Sequence, residues 1–358
     1  DLKMLSGLSD LAAWDWHFWT ERVRKEKFDL NEAEIKPYLQ LHKLMEAMFH
    51  VANRLFGVSF KQVENIAKYH NSVTGWEVTS ADGKHVGLFL SDNFARSSKR
   101  SGAWMSTYRD PMNLTQEVRP IVVNNNNFSQ GPEGKPTLLS IDDARTLFHE
   151  FGHALHGMLA NTTYPSLSGT NVFWDFVELP SQLLENWCYE KEALNLFAKH
   201  FETNEVIPMG FIEKIKQSSN FLEGMQTLRQ LSFGMLDMEW HAKNPSEITN
   251  VKAFEYDVFK NTQLFPDVKE NCMSTSFSHI FQGGYSSGYY SYKWAEVLDA
   301  DAFELFLENG IFNKAIATKL KSNILEKGGT EKPMKLYENF RGKKPTNTAL
   351  LKRAGLIK

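Results

Sequence analysis

The 358-residue chain has only two cysteines, Cys188 and Cys272, too few for a disulfide framework. Its stability therefore rests on a buried core, and a chain of this length can bury a large one. No apolar run approaches the roughly 20 residues needed to span a bilayer, which excludes a helical membrane anchor within this sequence. An excess of one charge is also missing: 40 Lys and Arg stand against 43 Asp and Glu, a formal net charge of −3. That leaves no basic footprint for nucleic acid. The pairs Lys99-Arg100 and Lys343-Lys344 read as solvated surface. Repeats are absent, and low complexity is confined to the run Asn124–Asn127. No linker is long enough to divide residues 1–358, so a single domain is expected. A cytoplasmic location is expected, with the periplasm and secretion left open.

Against this plain background one stretch stands out, His149-Glu150-Phe151-Gly152-His153. Ser140, with Asp143 three residues on, has the pattern of a capping box. Ile141, Ala144, Phe148, Phe151, Leu155 and Leu159 then recur at helical period. His149 and His153 fall off that stripe onto a neighbouring face, one turn apart. Two imidazoles so placed can hold one zinc ion, and the glutamate between them can act as a base in amide hydrolysis. The same residues also suit a helix with two ordinary polar histidines, so a third ligand is needed. Gly152 is a further question, because an interior glycine costs a helix about 1 kcal/mol relative to alanine.

Two residues compete for the third position. His156 shares the histidine face but lies about 10 Å along the axis from His149 at 1.5 Å per residue. Zinc–nitrogen bonds are only about 2 Å long, so His156 reads better as a packing residue or one behind the ligands. Glu178 opens a second helical run through Leu179, Leu183, Leu184, Trp187 and Cys188. Two histidines and one glutamate leave a fourth position open, as a catalytic zinc site requires. Asp175 or Glu185 is placed to orient a ligand histidine through its second nitrogen.

Three separated segments resemble the thimet-type oligopeptidase family of zinc metallopeptidases. They are Phe148 to His156, Asp175 to Gln182, and Ser278-His279-Ile280-Phe281-Gln282-Gly283-Gly284-Tyr285 continuing to Trp294. Tyr164 to Asn171 resembles the bacterial peptidyl-dipeptidase branch. The likeness runs from about Trp14 to the C-terminus. It implies a zincin-like, mainly helical catalytic domain and one zinc ion held by His149, His153 and Glu178, with Glu150 as general base. It implies that His279, Tyr285 and Tyr292 serve catalysis, and that Tyr289, Gly283 and Gly284 bind substrate. Short peptides are the implied substrates, cut to release C-terminal dipeptides or cleaved internally. The departure is Trp174, where many members carry arginine; the oligopeptidase A branch also has tryptophan there. Family members are longer, so the chain is expected to be a C-terminal catalytic fragment, partnered by a preceding helical portion. An inactive, peptide-holding fragment is the alternative.

The remaining pattern is mostly helical, with expected helices at 2–27, 32–55 (broken near Pro37), 184–202, 208–241, 250–260, 294–307 and 312–327. A small β region is expected at about 75–123. Its hairpin is Trp76–Thr79 with Val86–Leu90, and a third strand, Ile121–Val123, ends at the asparagines. An exposed edge there would serve as a rail for an extended peptide. Tyr285, Tyr289 and Tyr292 would share a face if helical, and the glycines at 283, 284 and 288 suggest a loop over bound peptide. Met225, Leu228, Leu231, Met235 and Met238 read as a core stripe. Arg96, Lys99 and Arg100 are candidate readers of a substrate carboxylate.

Overall fold

The computed structural model describes residues 2–357. It packs as two compact units. The larger takes in residues 32–212 and 295–351; the smaller takes in the described parts of 1–31, 213–294 and 352–358. Among the described residues no helix is long and apolar enough to cross a membrane.

The larger unit is built on a mixed five-stranded sheet in the order β1-β2-β3-β5-β4. Its strands are β1 Ser59–Val63, β2 Thr74–Thr79, β3 His85–Phe94, β4 Trp104–Arg109 and β5 Ile121–Phe128. β3 and β5 pair in parallel and the other neighbours are antiparallel, leaving β1 and β4 at the edges. Strand period sorts the side chains into two faces. Leu90 and Val123 pack with Val73 on one face. On the other, Phe89 and Val122 meet helix α2, Ile141–Leu159. The Phe151 ring of α2 lies 5.8, 5.5 and 5.6 Å from the rings of Phe49, Phe60 and Phe89. Phe49 comes from helix α1, Leu41–Phe56. Burying this aromatic group anchors the motif helix to the sheet, since each such ring removes about 150–250 Å² from water.

The hairpin, the third strand and the mainly helical class agree with the sequence pattern, and several boundaries do not. β5 runs through the asparagines, with Asn124 and Asn126 buried. Asn126 donates to Asn93 Oδ1 at 3.0 Å, and Asn127 donates to two carbonyls across the turn before β4. The amides of Asn126 and Asn127 thus take partners, whereas that of Asn124 is buried without one among the described residues. β1 and β4 escaped notice because half-exposed edge strands such as Ser59-Phe60-Lys61-Gln62-Val63 show little alternation.

The smaller unit centres on helix α3, Glu223–Ala242. Its core holds Phe233, Leu236, Val258, Phe277, Ile280 and Tyr289. The expected helix 208–241 divides into Met209–Ser218 and α3, with Leu222 left-handed at the break (φ 62°). The expected helix 2–27 likewise divides into Leu2–Ser6 and Trp16–Phe28, with Gly7 left-handed after the first (φ 69°). The methionine stripe is a correction: Leu231, Met235 and Met238 are 47, 44 and 46% exposed. The buried face of α3 is turned by about one residue, to Phe233, Leu236 and Asp237.

Candidate metal centre

The capping box predicted at the start of α2 is formed. Ser140 Oγ accepts from Asp143 N at 3.0 Å, and Asp143 Oδ2 accepts from Ser140 N at 3.0 Å. Capping fixes where the helix begins, and so the facing of His149, Glu150 and His153 two and three turns later. The His149 and His153 rings lie 5.0 Å apart at 84° to each other. Glu178 sits at a joint, ending the short helix Trp174–Val177 and preceding the helix Leu179–Glu185. Pro180 occupies the first turn of that helix, where its missing N–H does no harm.

Gly152 explains how the joint comes so close. A Cβ there would collide with the Pro180 carbonyl oxygen and stand 2.6 Å from Ser181 Cα. Only glycine lets the backbone of the Glu178 segment lie against α2 between the two histidines. Glu178 Oε2 then stands 3.2 Å from His149 Nε2 and 3.2 Å from His153 Nε2. Donor atoms of all three residues fall within 4.8 Å of one another. In a tetrahedral site with bonds near 2.1 Å, neighbouring ligand atoms are about 3.4 Å apart. The three donors fit one metal ion.

The surroundings reinforce that fit. Ser181 Oγ donates to Glu178 Oε2 at 2.8 Å. Glu185 Oε1 lies 2.6 Å from His149 Nδ1, and Arg145 Nε is 3.9 Å from the other Glu185 oxygen. Burial opposes charge on His149, but the bonds to Glu178 and Glu185 outweigh it and hold the imidazole well above its usual value. Burial would raise Glu178, yet His153 and His149 hold its carboxyl well below the usual range. Glu150 is different: burial raises its carboxyl, and His149 and His153 offset only part of the rise. Its Oε2 is buried with no hydrogen-bond partner among the described residues. A buried carboxyl with an open oxygen and a raised pKa beside a metal site has the properties of a proton-transfer group.

The sequence profile of peptidase family M3 matches residues 2–356. The chain belongs to this family. It is 39% identical to dipeptidyl carboxypeptidase of Escherichia coli K12, over 96% of this chain and 51% of that protein. It is 36% identical to oligopeptidase A of the same organism, over 98% of this chain and 52% of that protein. The chain thus spans about half the length of these curated relatives. Among solved structures, an M32 carboxypeptidase from Deinococcus radiodurans R1 superposes with a TM-score of 0.54 at 13% identity, covering 94% of this chain and 66% of that one. At that identity the likeness is one of fold.

The other residues singled out from the M3 pattern lie in the smaller unit, and there they gather. Tyr285 and Tyr292 stack at 5.1 Å and 19°. His279 lies 6.1, 5.9 and 6.4 Å from Tyr285, Tyr289 and Tyr292. They do not share one helix face, because the helix starts only at Ser291. Tyr285 and Tyr289 come from the turns before it, where Tyr285 N donates to His279 O at 3.0 Å and Gly288 N donates to Tyr285 O at 2.8 Å. Gly283 and Gly284 are exposed at the tip of this segment. Tyr289 is only 8% exposed, packed against Phe277 and Phe233.

His156 is fully buried, with both ring nitrogens unpartnered among the described residues. Burial, with His153 nearby, pushes it down to about 3, so it is neutral at ordinary pH. Glu185, one of the two carboxylates weighed for orienting a histidine, makes that contact. Arg96 and Lys99 are not free to read a carboxylate. Arg96 grips the buried Asp92 with two bonds of 2.7 Å, and Lys99 donates to Asp92 and to the carbonyls of Phe94 and Asn126. Arg100 lies over the Trp104 ring at 4.5 Å on the β4 edge. Sequence reasoning missed Ser181 and Asp92, which announce themselves only through long-range or local partners.

Proposed function

We propose that the protein is a zinc-dependent peptidase that hydrolyses short peptides and releases dipeptides from their C-termini. The observation that carries this reading is the convergence of His149, His153 and Glu178 beside the open, buried oxygen of Glu150. Zinc in this site would supply Lewis acidity, lowering the pKa of bound water to about 7 and taking up charge that develops on the scissile carbonyl oxygen. Glu150 accepts the proton of the attacking water and passes it to the leaving amine, and its raised pKa suits both halves of that exchange. His279, Tyr285 and Tyr292 supply donors to the developing oxyanion, and Tyr289, Gly283 and Gly284 line the peptide from the same cluster.

Edge strand β4 is the proposed peptide rail. Its Met105 side chain reaches the α2 backbone at Gly157, one turn beyond His153, and its outer edge pairs with no further strand among the described residues. A second reading, internal cleavage in the manner of an oligopeptidase, is favoured by the 36% identity to oligopeptidase A. A helical portion outside this chain, expected from the family resemblance, is the proposed partner that completes the cleft.

Metal analysis combined with a peptide-cleavage assay of wild type and Glu150→Gln tests the reading. Stoichiometric zinc in both proteins, with turnover lost only in the variant, is the expected result. Turnover surviving in Glu150→Gln contradicts the assigned base. Peptides with free and amidated C-termini separate the two modes: dipeptide release confined to free ends supports the first, and equal cleavage of blocked ends supports the second.

A further inference from the structure

Asp237 lies on α3, far in sequence from every motif residue, and is fully buried. Its two carboxylate oxygens accept separate backbone bonds: Oδ1 from Ser287 N at 2.9 Å and Oδ2 from Tyr289 N at 2.9 Å. His241, one turn on, brings Nδ1 to 2.9 Å from Oδ1 and to 2.8 Å from the Asp237 backbone carbonyl. Ser287 is held left-handed at φ 56°, a conformation that a residue with a side chain adopts only under constraint. The two amides captured by Asp237 flank Gly288, so the carboxylate clamps the turn that joins Tyr285 to Tyr289.

A buried carboxylate is an expensive way to fix a turn unless its oxygens are bonded, and here both accept. An asparagine would offer one oxygen and would turn an N–H toward the second donor. The clamp fixes backbone rather than side chain, so it sets where Tyr285, Tyr289 and Tyr292 stand relative to one another. The tip of the segment, residues 281–284, is tied differently. Its backbone bonds run back to Ser278, as in Gln282 N and Gly283 N to Ser278 O, both 2.7 Å.

We propose that Asp237 is the positioning residue of the tyrosine cluster, clamping the turn at 287–289 so that its phenols are preorganised for substrate. This rests on the peptidase reading for its consequence, but not for the clamp itself. The step from clamp to catalysis is geometric, since a displacement of about 1 Å in a reacting group can lower a rate about 10²-fold.

The test compares the zinc-loaded 358-residue chain with Asp237→Asn, Tyr292→Phe and the double variant. Two readouts are used: hydrogen exchange at the amides of Ser287 and Tyr289, and kcat and KM on a fluorogenic peptide. Asp237→Asn is expected to lose protection at both amides and to lower kcat by about 10²-fold, with zinc content unchanged. Adding Tyr292→Phe should then lower kcat little further, because the phenol is already misplaced; a merely structural role would give multiplying losses. Unchanged exchange in a folded Asp237→Asn overturns the clamp. Lost protection with unchanged kcat, or with fully multiplying losses, overturns the positioning role. If wild type cleaves no peptide, the reading of this chain as a peptidase by itself fails and the exchange result alone decides the clamp. Should Asp237→Asn not fold, Asp237→Glu keeps the charge, shifts it by one methylene and is read in the same way.

Discussion

Glu185 Oε1 stands 2.6 Å from His149 Nδ1, on the side of the ring away from the Nε2 that faces Glu178. One imidazole is thus fixed from both ends by carboxylates in a single short segment. A partner on the second nitrogen sets the tautomer and raises the basicity of a metal-binding histidine. Glu185→Gln should therefore weaken zinc binding by about 10–100-fold while leaving the far-ultraviolet dichroism unchanged. Competition against a chromophoric chelator reads the affinity directly. An unchanged dissociation constant would show that His149 needs no such support.

Gly152→Ala makes a second, steric prediction. The added methyl would meet the Pro180 carbonyl and Ser181 Cα at 2.6 Å, and both are backbone atoms that cannot rotate away. Overpacking of this kind typically costs about 1–3 kcal/mol, more than the about 1 kcal/mol of helix propensity that alanine would return. The net effect should be a lower urea midpoint and, because Glu178 rides on the displaced segment, weaker zinc retention. A variant as stable as wild type would mean that the two helices separate more easily than their contact implies.

These two cases show what a sequence carries and where it stops. His149, Glu150 and His153 were legible because metal chemistry demands a fixed spacing on one helix, and the capping box at Ser140 placed that helix. Gly152 was visible as an anomaly, but its reason lies 28 residues away at Pro180, and nothing local points there. Glu178 was reachable through ligand chemistry and family pattern. Ser181 and Asp237 were not, since a buried serine or aspartate looks like any other until its partners are known. The same limit explains the asparagine run: propensity argues against a strand, and only the partners of Asn126 and Asn127 overturn it. The methionine stripe on α3 failed for a related reason, because period alone does not say which of two apolar faces is covered.

Acid should report on the sheet. Asp92 is fully buried; burial raises its carboxyl, but Arg96, Lys99 and Tyr69 outweigh that and hold it below the usual value. A carboxyl lowered by folding contributes stability above its unfolded pKa, about 3.9, and the contribution fades as pH falls through the lower folded value. Asp92→Asn leaves the buried Lys99 without its counter-charge, so a loss of about 3–5 kcal/mol is expected at pH 7. The gap between wild type and variant should stay constant from pH 7 to about 4 and narrow below it. Urea titrations at several pH values measure this gap. A gap that does not narrow in acid would mean that the carboxylate is not what ties Arg96 and Lys99 down.

The tyrosine cluster allows a cleaner separation of packing from chemistry. Tyr285 and Tyr292 stack ring on ring at 5.1 Å, so phenylalanine at either position keeps the stacked surface and removes only a hydroxyl. If the Tyr292 phenol donates to the oxyanion, Tyr292→Phe should lower kcat by about 10²–10³-fold with KM and zinc content near wild type, because that bond strengthens only as charge develops. If a phenol merely holds substrate, KM rises and kcat stays. Tyr289→Phe provides the contrast within one cluster: its ring stays buried against Phe277, so removing the hydroxyl from a peptide-lining residue should raise KM and leave kcat near wild type. Parallel kinetics on the three variants would assign the donor. Equal kcat in all of them would remove the cluster from the chemistry.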